Sequence, residues 1–245
     1  MRIGVLGTGV VGEAIASALI CKEHLVAMGS RKAGNEKAKA WVSKAGGLAT
    51  EGSFDDAAHH SDLIFVCLNG EYALDAIKTI DPKNLSNKII IDVTNPLDFT
   101  QGMPPGILKE YRTKSLGEHL QEAAPAAFVV KTLNTINYKL MVDARIVNDG
   151  NHNLFICGND EDAKNKVKDL LADNFYWQHE SLLDLGDIKA ARCTEAIVPF
   201  WVLVWQALDT PIFNFKVTII YCVRKVSCCA LRLSAANSSI IQNND

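Results

Sequence analysis

The sequence predicts an α/β protein: a doubly wound parallel sheet with helices on both faces, followed by a smaller C-terminal α/β region. Three observations carry this. Short apolar runs alternate with helical periodicities from residue 2 to about residue 137, the pattern of a parallel sheet covered on both sides. The first apolar run, Arg2-Ile3-Gly4-Val5-Leu6, passes at once into Gly7-Thr8-Gly9-Val10-Val11-Gly12. From about Tyr138 the alternation loosens and ends in a long apolar stretch, which marks a second region without a clear linker.

The elements follow in order. After the glycine turn, Ala14, Ile15, Ala18 and Leu19 recur at helical spacing, and Leu25-Val26-Ala27-Met28 is the second strand, ending at Gly29-Ser30-Arg31. Strand, G-x-G-x-x-G turn, helix and strand together open a Rossmann-type dinucleotide-binding fold. Residues 35–45 read as a helix stopped by Gly46-Gly47; Leu48-Ala49 is a short third strand; Ser53-Phe54-Asp55-Asp56 is a capping box. Residues 62–68, 88–93 and 128–132 are further strands, and 71–80 and 115–123 helices. Beyond them, 153–157 and 182–185 read as strands, 161–173 as an amphipathic helix, 188–208 as one long, largely buried helix, and 213–217 as a last strand. The expected division is 1–137 for the dinucleotide-binding domain, 138–217 for the smaller domain, and 218–245 for a tail read as disordered in part, with 218–223 able to extend the last strand.

Composition narrows the function classes. The 245 residues are 48% apolar and 22% charged with a formal net charge of −3, which suits a globular domain and does not suggest a nucleic-acid partner. Met1 leads directly into a core strand, and the longest uncharged apolar stretch, 196–208, contains Pro199 and is too short for a bilayer span. Seven cysteines, at 21, 67, 157, 193, 222, 228 and 229, include no C-x-x-C pair. Buried free thiols in a reducing cytoplasm account for them most simply. The six histidines show no metal-ligand spacing, and His59-His60 reads as the end of a surface helix. There is no G-x-S-x-G.

The glycine turn is expected to cradle a pyrophosphate. Gly7 permits the sharp turn, Gly9 lets phosphate approach the backbone, and Gly12 lets the helix pack on the sheet. Phosphate then meets free N–H groups at the positive end of the helix. At the end of the second strand an NAD site usually carries Asp or Glu. Here stand Ser30 and Arg31, a hydroxyl and a guanidinium suited to a 2′-phosphate, so the reading is NADP(H).

Several stretches carry a resemblance: Gly29-Ser30-Arg31, Asp92-Val93-Thr94-Asn95-Pro96-Leu97-Asp98-Phe99, Ser115-Leu116-Gly117-Glu118, Val130-Lys131-Thr132-Leu133-Asn134-Thr135 and Asp184-Leu185-Gly186-Asp187-Ile188. On these the chain, over residues 1 to about 217, resembles the coenzyme F-420:NADP oxidoreductases and their bacterial relatives, and more distantly the reductase domain of membrane metalloreductases. The resemblance implies a homodimer that moves hydride between NADP(H) and a deazaflavin. By position it implies that Gly7, Thr8, Gly9, Val10 and Val11 line the pyrophosphate and that Ser30 and Arg31 hold the 2′-phosphate. Leu68, Asn69 and Tyr72 flank the path from adenosine to the nicotinamide ribose. Thr94-Asn95-Pro96 and Asn134-Thr135-Ile136 border the nicotinamide and the acceptor ring.

Hydride transfer between stacked rings needs alignment and exclusion of water rather than a catalytic side chain, and none is assigned. Asn95 and Asn134 suit the nicotinamide carboxamide, since an amide both donates and accepts. Lys109, Arg112, Lys114 and Lys131 are candidates for a basic patch toward an acidic acceptor. Trp201 and Trp205, with Phe200, form a stripe that suits a core or a dimer interface. The residues leave the acceptor open. A deazaflavin, a free flavin, a quinone or a ferric chelate all fit, as does a dinucleotide sensor without turnover.

Overall fold

The computed structural model describes residues 1–219; the sequence-predicted tail beyond Ile219 lies outside them. The chain lays down β1 (Arg2–Leu6), α1 (Val10–Ile20), β2 (Leu25–Ser30), α2 (Glu36–Ala45), β3 (Ala49–Ser53), α3 (Phe54–His59), β4 (Leu63–Val66), α4 (Gly70–Lys78), α5 (Pro82–Leu85) and β5 (Ile89–Asp92). A two-stranded hairpin, β6 (Leu97–Asp98) and β7 (Gly106–Ile107), precedes α6 (Leu116–Ala123) and β8 (Phe128–Thr132). Then come α7 (Tyr138–Val142), β9 (Leu154–Gly158), α8 (Glu161–Phe175), β10 (Leu182–Asp184), α9 (Ala191–Ala196) and α10 (Val198–Leu208).

Eight strands form one sheet in the order β10-β9-β8-β5-β4-β1-β2-β3. Its strands are parallel except at one joint, where β9 runs antiparallel to β8. The sheet therefore continues across residue 137, and β9 and β10 extend the edge that β8 begins. Two apolar layers cover it. One joins Ile15 and Leu19 of α1, Trp41 of α2 and Val167, Leu171 and Phe175 of α8. The other joins Ala57 of α3, Ile77 of α4, Leu120 of α6 and Ala191 of α9. Full burial of one such Leu or Phe is worth about 1.5–3 kcal/mol. Central strands read as unbroken apolar runs because both of their faces are covered; Leu63 to Val66 are all buried.

Local signals set most helix starts. Asn35, Ser53, Asn69, Asp81, Ser115, Asn137 and Asp160 each accept a backbone N–H at the start of the helix that follows, which satisfies donors that lack an intrahelical acceptor. The boxes Ser53/Asp56 and Ser115/Glu118 are reciprocal.

Three expectations need correction. The stretch 188–208 is a 3-10 turn at Ile188–Ala190 and two helices, α9 and α10. Pro199 has no N–H to continue the ladder, and the break falls at Ile197. Nor is α10 largely buried. Only Val198 and Val202 are, while Phe200, Leu203, Trp205 and Leu208 are 53, 47, 38 and 54% exposed. The stretch 213–217 is extended but not a strand. Phe215 O accepts from Asn153 N at 3.0 Å, but Asn214 Nδ2 takes Asn153 O at 2.7 Å and so ends the ladder. The cysteines split: Cys67 and Cys157 are buried, whereas Cys21 and Cys193 are exposed. No described helix is long and apolar enough to cross a membrane.

Candidate active site

The carboxyl ends of β1, β2, β4, β5 and β8 converge on two adjoining clefts that share Leu68. In open α/β sheets this is where ligands bind. The first cleft, about 510 Å³, is lined by Gly7, Thr8, Ser30, Arg31, Leu68, Asn69 and Tyr72, together with Asn35, Phe54, Asp75, Ala76 and Thr79. The second, about 270 Å³, is lined by Val11, Leu68, Thr94, Asn95, Asn134 and Ile136, together with Cys67, Val93, Asn137, Tyr138, Met141 and Trp201. A larger cavity of about 760 Å³ lies at the amino ends of the strands, beside Met1, Leu63 and Ile89, remote from the glycine turn.

The glycine turn has the form its sequence demands. Gly7 sits at φ +129°, and a Cβ there would come within 2.3 Å of Cys67 O. A Cβ on Gly12 would come within 2.1 Å of Gly7 O, so α1 could not approach the turn. Gly9 differs: a Cβ there meets nothing within 4 Å. That open space faces the start of α1, where Gly9 offers no side-chain cap and Glu13 N is the first donor to a turn carbonyl, Gly9 O, at 2.9 Å. A helix start left uncapped beside an open glycine fits a phosphate group.

At the end of β2, Ser30 is buried and Arg31 exposed. The Ser30 hydroxyl donates to Lys32 O at 2.6 Å, so donation to a phosphate requires it to rotate. An acid does reach this loop, from β3 rather than from β2: Glu51 accepts Gly34 N at 2.9 and 3.2 Å. Asn69 is the N-cap of α4, and its Oδ1 accepts Glu71 N at 3.1 Å. Tyr72 is half exposed on the cleft wall.

In the second cleft the two asparagines hold each other. Asn95 Nδ2 donates to Asn134 O at 2.7 Å, and Asn134 Nδ2 donates to Asn95 Oδ1 at 2.8 Å and to Thr194 O at 2.7 Å. Both amide protons of Asn134 are thereby committed, and Oδ1 is the atom left to accept from a carboxamide. Pro96 and Thr135 are buried behind the cleft rather than lining it. Gly9, Val10 and Gly12 form the turn without lining either cleft.

Lys131 does not join a basic patch. It is fully buried between Asp92 and Glu195, at 2.8 and 2.9 Å. Burial alone would lower its pKa, but the two carboxylates outweigh it and hold the ammonium above its usual range.

Asn35 caps α2 and lines the first cleft with Arg31. Sequence reading missed Trp201 as a cleft residue, because a Trp in an apolar helix reads as core. It missed Glu195 altogether, since a single acid in a helix carries no local signal.

This chain matches the family model "NADP oxidoreductase coenzyme F420-dependent" over residues 2–96. It is 39% identical to a crystal structure from Arthrobacter sp. FB24 assigned as an F420-dependent NADP reductase. The match covers 89% of this chain and all of that one, with a TM-score of 0.82. It is 29% identical over 211 residues to the F420-dependent NADP reductase of Methanocaldococcus jannaschii, covering 81% of this chain and 90% of that protein. It is 29% identical to the metalloreductase STEAP3 of Rattus norvegicus over 82% of this chain, which spans 38% of that longer protein. The Rossmann-like fold and these matches define a dinucleotide-dependent α/β oxidoreductase. The chain belongs to the coenzyme F420-dependent NADP oxidoreductase family, and it is an NADP-dependent oxidoreductase.

Proposed function

We propose that this protein transfers hydride between NADP(H) and a deazaflavin of the coenzyme F420 type, with the adenosine half in the first cleft and the two reacting rings in the second. NADP(H), when bound, supplies or takes the hydride at its nicotinamide. The chain's own residues bind, orient and exclude water. Thr8, Gly9, Val10, Val11 and Gly12 present backbone N–H groups to the pyrophosphate, and Gly7, whose own N–H goes to Gly29 O at 2.9 Å, makes the turn that aims them. Ser30 and Arg31 take the 2′-phosphate, and Leu68, Asn69 and Tyr72 guide the adenosine and ribose. Thr94, Asn95, Pro96, Asn134 and Thr135 build the nicotinamide end. Residues 1–137 supply the dinucleotide-binding part and 138–217 close the acceptor side, although both share one sheet.

The observation that carries this reading over a sensor without turnover is the second cleft. Beside the dinucleotide groove stands a space walled by Val11, Val93, Ile136, Met141 and Trp201, apolar and aromatic surfaces suited to a flat ring. The 39% identical reductase and the M. jannaschii enzyme support a deazaflavin as that ring. The test is steady-state oxidation of NADPH against coenzyme F420, FMN, a benzoquinone and a ferric chelate. Turnover with F420 well above the others is expected. Turnover only with another acceptor overturns the deazaflavin assignment, and none with any acceptor favours a sensor.

We also propose a homodimer built on α10. Phe200, Leu203, Trp205 and Leu208 are exposed on one short helix, and Phe200 stacks on Phe215 at 5.9 Å to broaden the apolar face. Such a patch on a soluble enzyme marks a contact with a partner.

A further inference from the structure

We propose that the buried cluster Lys131–Asp92–Glu195 is the positioning device for the nicotinamide end of the site, joining the loop after β5 and the loop after β8 into one rigid unit through α9. The inference rests on the reading that the second cleft receives the nicotinamide.

Lys131 and Asp92 are register partners on β8 and β5. Lys131 Nζ uses three donors: to Asp92 Oδ2 at 2.8 Å, to Glu195 Oε1 at 2.9 Å and to Thr94 O at 2.7 Å. Asp92 Oδ1 accepts both Thr94 N, at 2.9 Å, and Thr94 Oγ1, at 2.7 Å. Thr94 is therefore gripped at its N–H, its hydroxyl and its carbonyl, all by this cluster. Glu195 also accepts Leu116 N at 2.9 Å and Gly117 N at 3.0 Å, so the positive end of α6 helps to balance the second carboxylate.

The contacts close into a ring. From Thr94 the chain passes to Asn95, which exchanges amide hydrogen bonds with Asn134. Asn134 donates to Thr194 O, and the chain passes from Thr194 to Glu195, which returns to Lys131. Moving any member moves the two asparagines that face the second cleft. The side chains of Lys131, Asp92 and Glu195 are 0, 0 and 2% exposed, so the cluster touches no ligand itself. Buried ion clusters contribute little net stability compared with apolar packing. A fixed geometry under two ligand-facing loops gives this one a use that stability alone does not.

The test compares NADP⁺ with 2′,5′-ADP, which lacks the nicotinamide, by calorimetry on wild type, Glu195→Gln and Lys131→Met. Glu195→Gln keeps an oxygen for α6 and removes the charge, so it remains informative if Lys131→Met does not fold. Affinity for 2′,5′-ADP is expected to be unchanged, whereas NADP⁺ weakens about fivefold to tenfold. Val167→Ala, in α8 of the other apolar layer, is the comparison: Tm falls and both affinities hold. Equal loss for both ligands, or no loss for either, in a folded Glu195→Gln protein overturns the inference alone. NADPH fluorescence that does not change on binding to wild type overturns the reading of the second cleft, and the inference with it.

Discussion

Arg31 is the residue that tests the proposed 2′-phosphate site. It stands exposed on the wall of the first cleft, next to a buried Ser30. Arg31→Ala is expected to weaken NADP(H) by about 1.5–3 kcal/mol, the worth of a hydrogen bond to a charged group, and to leave NAD(H) little changed. Calorimetry with both cofactors checks this, and equal losses would remove Arg31 from the 2′-phosphate site. Gly9 tests the pyrophosphate. The space before its absent Cβ is open, so Gly9→Val is expected to fold normally by circular dichroism and lose NADPH binding. The thiols test burial. Burial pushes Cys67 upward and Cys157 up to about 12, while Cys21 and Cys193 are exposed. In native protein at neutral pH, alkylation mapped by mass spectrometry is expected at Cys21 and Cys193 and not at Cys67 or Cys157. Labelling of Cys157 as fast as Cys21 would mean that the β9 region opens readily.

At the scale of elements, α6 carries the clearest pH dependence. Burial pushes the Glu118 carboxyl upward, but the Arg192 guanidinium, at 2.6 and 2.8 Å, and the Ser115 hydroxyl and N–H outweigh it and hold the group at about 2. A carboxyl more acidic in the folded chain than its ordinary 4.5 contributes stability above pH about 4.5. That contribution is lost as pH falls toward about 2. Because Arg192 is half exposed, solvent screening keeps that contribution small. Arg192→Ala is expected to move the acid-unfolding midpoint upward and to lower stability slightly at pH 7. An unchanged midpoint would mean that the pair is broken in solution. The β5–β8 joint is more demanding. Lys131→Met leaves two buried carboxylates facing each other, a loss of about 3–5 kcal/mol, visible as a large fall in Tm.

For the whole molecule, the expected outcome is a dimer by light scattering at micromolar concentration, converted to monomer by Leu203→Glu on the exposed face of α10. A wild-type monomer would leave that face without the proposed partner. The same helix shows where reading the sequence reaches its limit. Its composition is that of a core helix, and as a sequence nothing distinguishes burial inside one chain from burial between two. The glycine turn was more legible, because its requirements are local: a glycine for a positive φ, a glycine for a close approach and an uncapped helix start all lie between Gly7 and Gly12.

By itself, then, the sequence determined the alternation of strands and helices, the caps and the glycine turn, and it pointed to NADP(H). These depend on periodicity and on contacts within about four residues. Only the tertiary structure decided that β9 runs antiparallel to β8, that Asn95 and Asn134 grip one another across 39 positions, and that Glu195 reaches Gly117 across 78 and closes on Lys131. Such contacts leave no periodic trace. A buried lysine in β8 and a lone acid in α9 acquire their partners from the order in which strands enter the sheet, and that order places them side by side.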